Sequence, residues 1–371
     1  MYSFYLYFPI GSNQDGFGRS GLMHLVEHYL ILSLKEKMKE DYSIKILGQT
    51  GHEHMIFNWQ ENSFENTLVK SFLSLIKEIK DGYTLINKNI LSRAKREVIQ
   101  EIYMRKYSIK RYDKILSLVE DKKLVSPIGK KESINDIKDI DISNALDSFP
   151  KARLYIYNWN DECFYNIDLF KSGKSCKTEQ SNCKFSNFIN FKKSSLEIGK
   201  NRLKILIPAK MTVAKDEREM IKNGTIRDFF ISIIYDRILS YFTNVIEIKH
   251  SKFIINDKKG FCQFDFQING DALNTSINLS KKYDISKFIN EESFLDMKRA
   301  LINKLEFTED LSLLEDDIYN EIMNIEFFNE KTLSNDKNDA FDIINHITFE
   351  DMTNFINTQF REDEIWIFEG E

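Results

Sequence analysis

Apolar positions along the chain change period several times, and each change marks an element. Residues 2–10 alternate and are aromatic-rich, the two-residue period of a strand. A polar, glycine-bearing loop follows over 11–18. From Ser20 to Lys39 the apolar side chains Leu22, Leu25, Leu30, Leu32, Leu34 and Met38 fall at helical spacing, with Ser20 the expected cap. Residues 42–47 and 54–59 read as strands around Gly48 and Gly51. Helical patterns occupy 61–80 and 87–107, and a shorter helical series fills 111–149. Residues 153–157 read as a strand. Farther on, strands at 203–207 and 260–268 frame a long amphipathic helix at 224–245, and helices follow at 291–306, 309–328 and 335–346.

The end of the chain repeats the end of its first half. Residues 140–157 run from an acidic N-terminus through an amphipathic helix into a strand, and residues 347–369 do the same. Two such endings about two hundred residues apart predict a duplicated α+β unit. Between them, residues 170–195 are rich in Lys, Ser, Asn and Cys and poor in aliphatics, which suits a linker. The expected organisation is a first domain over 1–169, a linker over 170–195 and a homologous second domain over 196–371.

Composition narrows the class. A chain of 371 residues is long for a single core and suits two domains. It is 42% hydrophobic and 29% charged, as a soluble globular protein is, and its net charge of -5 argues against nucleic-acid binding by bulk electrostatics. No apolar run approaches the ~20 residues of a membrane span. The short N-terminal apolar stretch has neither a basic leader nor a small-residue cleavage site, so a cytoplasmic protein is expected. Cys163, Cys176, Cys183 and Cys262 form no C-x-x-C pair and read as free thiols.

The sharpest chemical feature is His24-Leu25-Val26-Glu27-His28. Two of only six histidines stand four residues apart around a glutamate. On a helix, residues four apart lie one above the other, so two imidazoles can bind one zinc ion through nitrogens at ~2.0–2.1 Å. Glu27 is rotated ~100° from His28 and still reaches the open metal position, where a carboxylate can take a proton from water. A pair of histidines on a helix can also be a wet surface face. Here Leu22, Leu25, Val26, Leu30 and Leu32 surround the pair, and buried imidazoles need a partner. Glu101 is the best candidate for the missing ligand. It shares a face of the second long helix with Glu97, and like charges at that spacing repel unless a cation lies near.

The order His-x-x-Glu-His is the inverzincin signature. With Gly11-Ser12 before Gly21-Leu22-Met23-His24-Leu25-Val26-Glu27-His28, and Val98-Ile99-Gln100-Glu101-Ile102-Tyr103-Met104 at a downstream spacing close to the family's own, the chain resembles the insulinase, pitrilysin and mitochondrial-processing-peptidase family. The resemblance implies an α+β fold of two homologous α/β domains, each an antiparallel-rich sheet with helices on one face, together half of a clam-shell chamber. It implies one Zn2+ on His24, His28 and Glu101, with Glu27 as the catalytic base. It implies a peptide bound as an added strand along a sheet edge, expected near residues 51–59. It implies a homodimer, or a heterodimer with a homologue. The expected activity is zinc-dependent cleavage of short or unfolded peptides, such as removal of a leader from a small peptide. The alternative is a silent subunit that binds peptide or partner.

Three departures from the family pattern bear on these expectations. Ala94 stands where the family often has a second glutamate, so a supporting role passes to Glu97. The family's paired glycines and Asn-Ala are replaced by Gly48-Gln49-Thr50-Gly51-His52-Glu53-His54. Within it Gly51, His52, Glu53 and His54 are candidate substrate contacts; His52 and His54, alternating on a strand, are otherwise a second metal site or plain surface histidines. Finally, the chain begins one strand early, which exposes a sheet edge for a partner to cover.

Overall fold

The structure is a computed structural model that describes residues 1–16, 18–38, 45–64, 67–82, 85–119, 126–161, 163–167, 188–189, 191–196, 201–239, 245–256, 259–268, 283–284, 289–307, 315–331, 337–359 and 365–370. It divides into two compact units, Met1–Lys174 and Ser175–Glu371.

In the first unit, β1 (Tyr2–Phe8) is the centre of a five-stranded antiparallel sheet. β2 (Leu47–Thr50) and β3 (Met55–Glu61) lie on one side of it, β4 (Arg153–Asn158) and β5 (Cys163–Ile167) on the other, in the order β2-β3-β1-β4-β5. Alternation in β1 sends Phe4, Leu6 and Phe8 to one face, where Phe57 and Trp59 of β3 join them. Against that face pack α1 (Leu22–Met38), α2 (Thr67–Lys80), α3 (Lys88–Met104) and α6 (Asp139–Asp147), closing one apolar core. Each large apolar side chain buried there contributes about 1.5–3 kcal/mol. α4 (Lys106–Val119) and α5 (Lys131–Asp136) complete the unit.

The second unit repeats the plan. β8 (Arg202–Ala209) takes the place of β1, α7 (Glu217–Leu239) follows as α1 does, and β9 (Val245–Asn256) and β10 (Lys259–Ile268) stand where β2 and β3 stand. α8 (Glu291–Phe307), α9 (Glu315–Met323) with a wide-turn continuation over Asn324–Phe328, α10 (Lys337–His346) and α11 (Phe349–Gln359) lead to β12 (Ile365–Gly370). The sheet order is β7-β12-β8-β10-β9, with β7 (Phe191–Leu196) parallel to β12. A short ribbon pairs β6 (Phe188–Ile189) with β11 (Tyr283–Asp284).

Individual contacts recur between the units. Asn87 caps α3 by accepting from the N–H groups of Asn89 and Ile90, and Asn290 caps α8 by accepting from Ser293. Eight residues into α3, Lys95 donates to the Asn135 and Ile137 carbonyls at 2.8 and 2.5 Å. Eight residues into α8, Lys298 donates to the Asn345 and Ile347 carbonyls at 2.7 and 2.9 Å. Asp141 and Asp351 accept in the same way from the backbone at the starts of their helices. The equivalence aligns Lys95-Arg96-Glu97-Val98-Ile99-Gln100-Glu101 with Lys298-Arg299-Ala300-Leu301-Ile302-Asn303-Lys304.

The structure departs from the sequence expectations at several points. The helix expected from residue 61 begins at Thr67, because pairing with β1 carries β3 on to Glu61. Of the strand expected at 42–47, residues 42–44 lie outside the described residues, and the strand proper is β2. The helix expected at 224–245 spans Glu217–Leu239, and β9 was hidden behind it because Val245 and Ile246 extend its apolar pattern. In the expected linker, residues 170–187 lie outside the described residues and Cys176 and Cys183 with them, whereas 191–195 belong to β7. A polar strand such as Phe191-Lys192-Lys193-Ser194-Ser195 has no local signal; β12 supplies its partner. β5 pairs with β4 in register from Asn158 opposite Cys163 to Leu154 opposite Ile167, and β2 is the outermost described strand at the other end of the sheet.

A buried ion pair pins the second unit. Arg227 of α7 donates to both Glu330 oxygens at 2.5 and 2.6 Å and to the Lys210 carbonyl at 2.8 Å, between the rings of Phe328 and Phe355. Arg227→Ala strands the Glu330 carboxylate in a dry core and is expected to destabilise the protein by about 3–5 kcal/mol, whereas Arg227→Met with Glu330→Leu recovers most of that loss. Urea unfolding of the three proteins checks this.

Candidate metal centre

α1 is buried along nearly its whole length, from Leu22 to Leu34, and carries His24 and Glu27 inside at 7% and 4% exposure. Its start is fixed by Asp15, not by Ser20. The Asp15 carboxylate accepts from the Gly21 N–H at 2.6 Å and the Met23 N–H at 2.8 Å, as the 11–15 loop folds back over the helix end. Burial pushes that carboxyl up to about 7 against those two donors. α3 is set beside α1 by the Asn87 N–H, which donates to the Tyr29 hydroxyl at 3.0 Å.

That placement brings three side chains together. Glu101 Oε2 lies 3.3 Å from His24 Nε2 and 3.4 Å from His28 Nε2. The ligand atoms of His24, His28 and Glu101 all fall within 4.8 Å of one another, and this is the one such group of three among the described residues. A tetrahedral ion with arms of ~2.0–2.1 Å requires ligand atoms about 3.3–3.4 Å apart. The two distances from Glu101 to the histidines match that, and the donor types suit zinc.

The far side of each imidazole fits as well. His24 Nδ1 is 3.3 Å from the Ile128 carbonyl, and His28 Nδ1 is 3.5 Å from Glu97 Oε2. An acceptor at Nδ1 keeps the proton there and turns the Nε2 lone pair inward, the arrangement by which metal-binding histidines are oriented. Ile128 approaches because Gly21 and Gly129, both at positive φ, meet where a Cβ on either would overlap the other's backbone. Glu97 is itself held by Arg93 Nε at 3.0 Å, and Glu101 Oε1 by Arg105 at 2.8 Å. Burial opposes charge on His24, but its hydrogen bond to Glu101 and the fields of Glu27 and Glu101 outweigh that and raise its pKa. The same hydrogen bonds, from His24 and His28, hold Glu101 far below the usual carboxylate range. The cluster therefore favours a positive charge at its centre.

The Glu27 carboxylate lies near His24, whose charge it favours, and against β2. Its Oε2 accepts from the Thr50 hydroxyl at 2.6 Å. Neither Thr50, Asp15 nor the Ile128 carbonyl was marked by the sequence, since each acts through a partner distant along the chain or through its backbone.

The 51–54 segment is not a strand but the turn between β2 and β3, closed by the Gly51 N–H donating to the His54 carbonyl at 2.8 Å. His52 and His54 are 1% and 4% exposed, so neither is a surface histidine and the described residues join neither to a metal-binding group. His52 bridges Ser12 Oγ at 3.2 Å and the Tyr112 hydroxyl at 3.0 Å, while His54 stacks on Tyr7. Glu53 accepts from the Asn13 amide. These contacts clamp the 11–14 loop onto the turn. The sheet edge is likewise displaced from expectation: β3, over residues 55–61, is paired on both sides, and β2 is the outermost strand.

The sequence matches no protein-family model and no curated protein sequence. The architecture does have counterparts among solved structures. The first half of the periplasmic protease PqqL from Escherichia coli superposes at a TM-score of 0.59 with 11% identity, covering 100% of this chain and 86% of that one. An M16-like peptidase from Alicyclobacillus acidocaldarius gives 0.60 and 12%, covering 100% and 93%. The M16 peptidase inactive domain from Pseudomonas fluorescens gives 0.60 and 13%, covering 100% and 92%. The fold is that of M16-type peptidases. This chain spans 45% of the longer PqqL chain and 42% of pitrilysin. No helix among the described residues is long and apolar enough to cross a membrane.

Burial depresses the pKa of His52 and of His54 to about 4 each. The unfolded chain binds those protons at about 6.5, so their burial favours folding fully above that pH and loses its contribution as pH falls from 6.5 toward 4. The expected loss is on the order of 3 kcal/mol per group. Urea midpoints between pH 4.5 and 7 are expected to slope less steeply in a His52→Gln/His54→Phe variant than in wild type. Parallel slopes would show that neither histidine titrates on unfolding.

Proposed function

We propose that this chain is a zinc-dependent endopeptidase that cleaves short or unfolded peptides, removal of a leader from a small peptide being the kind of task it suits. The observation that carries the reading is the convergence of His24, His28 and Glu101, with Glu101 Oε2 at 3.3 and 3.4 Å from the two Nε2 atoms and both Nδ1 atoms facing acceptors. When bound there, zinc supplies a Lewis acid that polarises a scissile carbonyl and brings the pKa of a water molecule to about 7.

The chain's own residues do the rest. Glu27 is the general base: it accepts the proton of the attacking water and returns it to the leaving amine. Glu97 and the Ile128 carbonyl keep the imidazoles oriented. β2, the outermost strand of the sheet among the described residues, receives the peptide main chain as a further strand, so side-chain identity matters less than an extended backbone. The reading includes assembly with a second copy or a homologue; the part of PqqL that this chain matches over its whole length is one half of a longer protein. Resemblance to an inactive domain and the presence of Ala94 favour a second reading, a silent subunit; retention of His24, Glu27, His28 and Glu101 weighs against it.

Elemental analysis of the purified chain is expected to find one zinc, lost in His24→Ala. Glu27→Gln is expected to keep the metal and to lower peptide turnover by about 10²–10⁴-fold. Zinc-free wild type, or cleavage that Glu27→Gln leaves untouched, would overturn the reading.

A further inference from the structure

We infer that Thr50 is a positioning residue for Glu27, and that the β2 edge strand sets where the carboxylate stands. Three observations converge on it. First, the Thr50 hydroxyl donates to Glu27 Oε2 at 2.6 Å, the short separation of a charge-assisted hydrogen bond. Second, Gly48, two residues earlier on the same face of β2, lies so close to Glu27 that a Cβ there would stand 2.4 Å from Oε1 and 2.7 Å from Cδ. Third, Gly48 and Thr50 are paired with Phe57 and Met55 of β3, both fully buried, so β2 cannot shift without disturbing the core.

The carboxylate is thus confined from two sides. Gly48 leaves it room and Thr50 gives it direction, engaging Oε2 by hydrogen bond. A Glu side chain has three rotatable bonds and would otherwise sample several positions around α1. Misplacement of a reacting group by about 1 Å can cost 10²-fold in rate. Because the strand that holds the base is also the outermost strand of the sheet, a peptide added to β2 is aligned by the same backbone that aligns Glu27. The catalytic consequence rests on the peptidase reading; the positioning itself does not.

Thr50→Val removes the hydroxyl at nearly constant volume, and Thr50→Ser keeps it. In the zinc-loaded full chain, Thr50→Val is expected to lower kcat by about tenfold or more with KM within about twofold, zinc content unchanged, and Thr50→Ser to restore kcat to within about threefold. A structural defect would move KM and zinc content too, and serine would not rescue it. A second readout needs no turnover: a thermal double-mutant cycle of Thr50→Val with Glu27→Ala. The midpoint shift of the double variant is expected to fall short of the sum of the single shifts by about 2–4 °C. Additive shifts, or a Thr50→Val enzyme with wild-type kcat, would overturn the inference. A chain that hydrolyses no peptide but shows the non-additive cycle would support the Thr50–Glu27 coupling and defeat the peptidase reading instead.

Discussion

His24 lies deep in an apolar helix and His28 beside it is half-buried; all four of their ring nitrogens face partners, and much of the first unit is arranged to provide them. α1 packs against the sheet on one side and α3 on another, so His24 has almost no access to water. The inward Nε2 atoms of His24 and His28 meet one carboxylate, and the outward Nδ1 atoms meet a backbone carbonyl and a second carboxylate. Each partner constrains another element: Glu101 and Glu97 fix the register of α3, and the Ile128 carbonyl fixes the loop before α5. A cluster left half-satisfied would be worse than an apolar core. The Glu101 carboxylate and the field of Glu27 favour positive charge on His24, so the cluster holds a charged pair within the core of the first unit.

The second unit shows what the architecture requires without that chemistry. It keeps the sheet order around its central strand, the asparagine cap and the lysine that ties α8, as α3 is tied, to the carbonyls ahead of the last helix. Where the first unit has Glu97 and Glu101, the second has Ala300 and Lys304, and α7 carries no histidine. A lysine is a donor without a lone pair at neutral pH and cannot replace a carboxylate ligand. In place of the imidazole cluster, α7 buries Arg227 against Glu330, a pair satisfied by protein groups alone. The duplicated scaffold therefore solves the same packing problem twice, once with a site that welcomes a cation and once with an internal ion pair.

What was legible in the sequence follows from how local each signal is. The His24–Glu27–His28 triplet and the helix around it could be read because helical spacing alone puts the two imidazoles on one face, and Leu22 to Leu34 announce that the face is buried. Glu101 could be proposed only by the repulsion it shares with Glu97 and by family spacing, since its meeting with His24 is a tertiary event. The paired helix-and-strand endings survived because each is a contiguous segment with its own capping carboxylate, Asp141 or Asp351. Elements whose identity comes from a distant partner were lost: β7 has no pattern without β12, and β9 continues the apolar run of the helix before it. His52 and His54 were misplaced for a related reason. Alternation suggested a strand face, whereas the Gly51–His54 hydrogen bond makes a turn whose side chains fold inward onto Ser12, Tyr112 and Tyr7.

The same comparison explains how the Gly48–His54 segment keeps its place beside α1. β2 does three things: it is the outermost of the described strands of its sheet, it comes within van der Waals distance of Glu27, and it does not wander. The first follows from topology. The second needs one residue without a side chain on the face toward α1, and Gly48 is that residue. The third is met from the opposite end, by the turn that Gly51 closes and that His52 and Asn13 clamp to the 11–15 loop, the loop whose Asp15 also caps α1. Edge strand and α1 are thus anchored to one short loop, so the distance between Glu27 and the strand is set by covalent and hydrogen-bonded geometry rather than by the plasticity of the sheet edge.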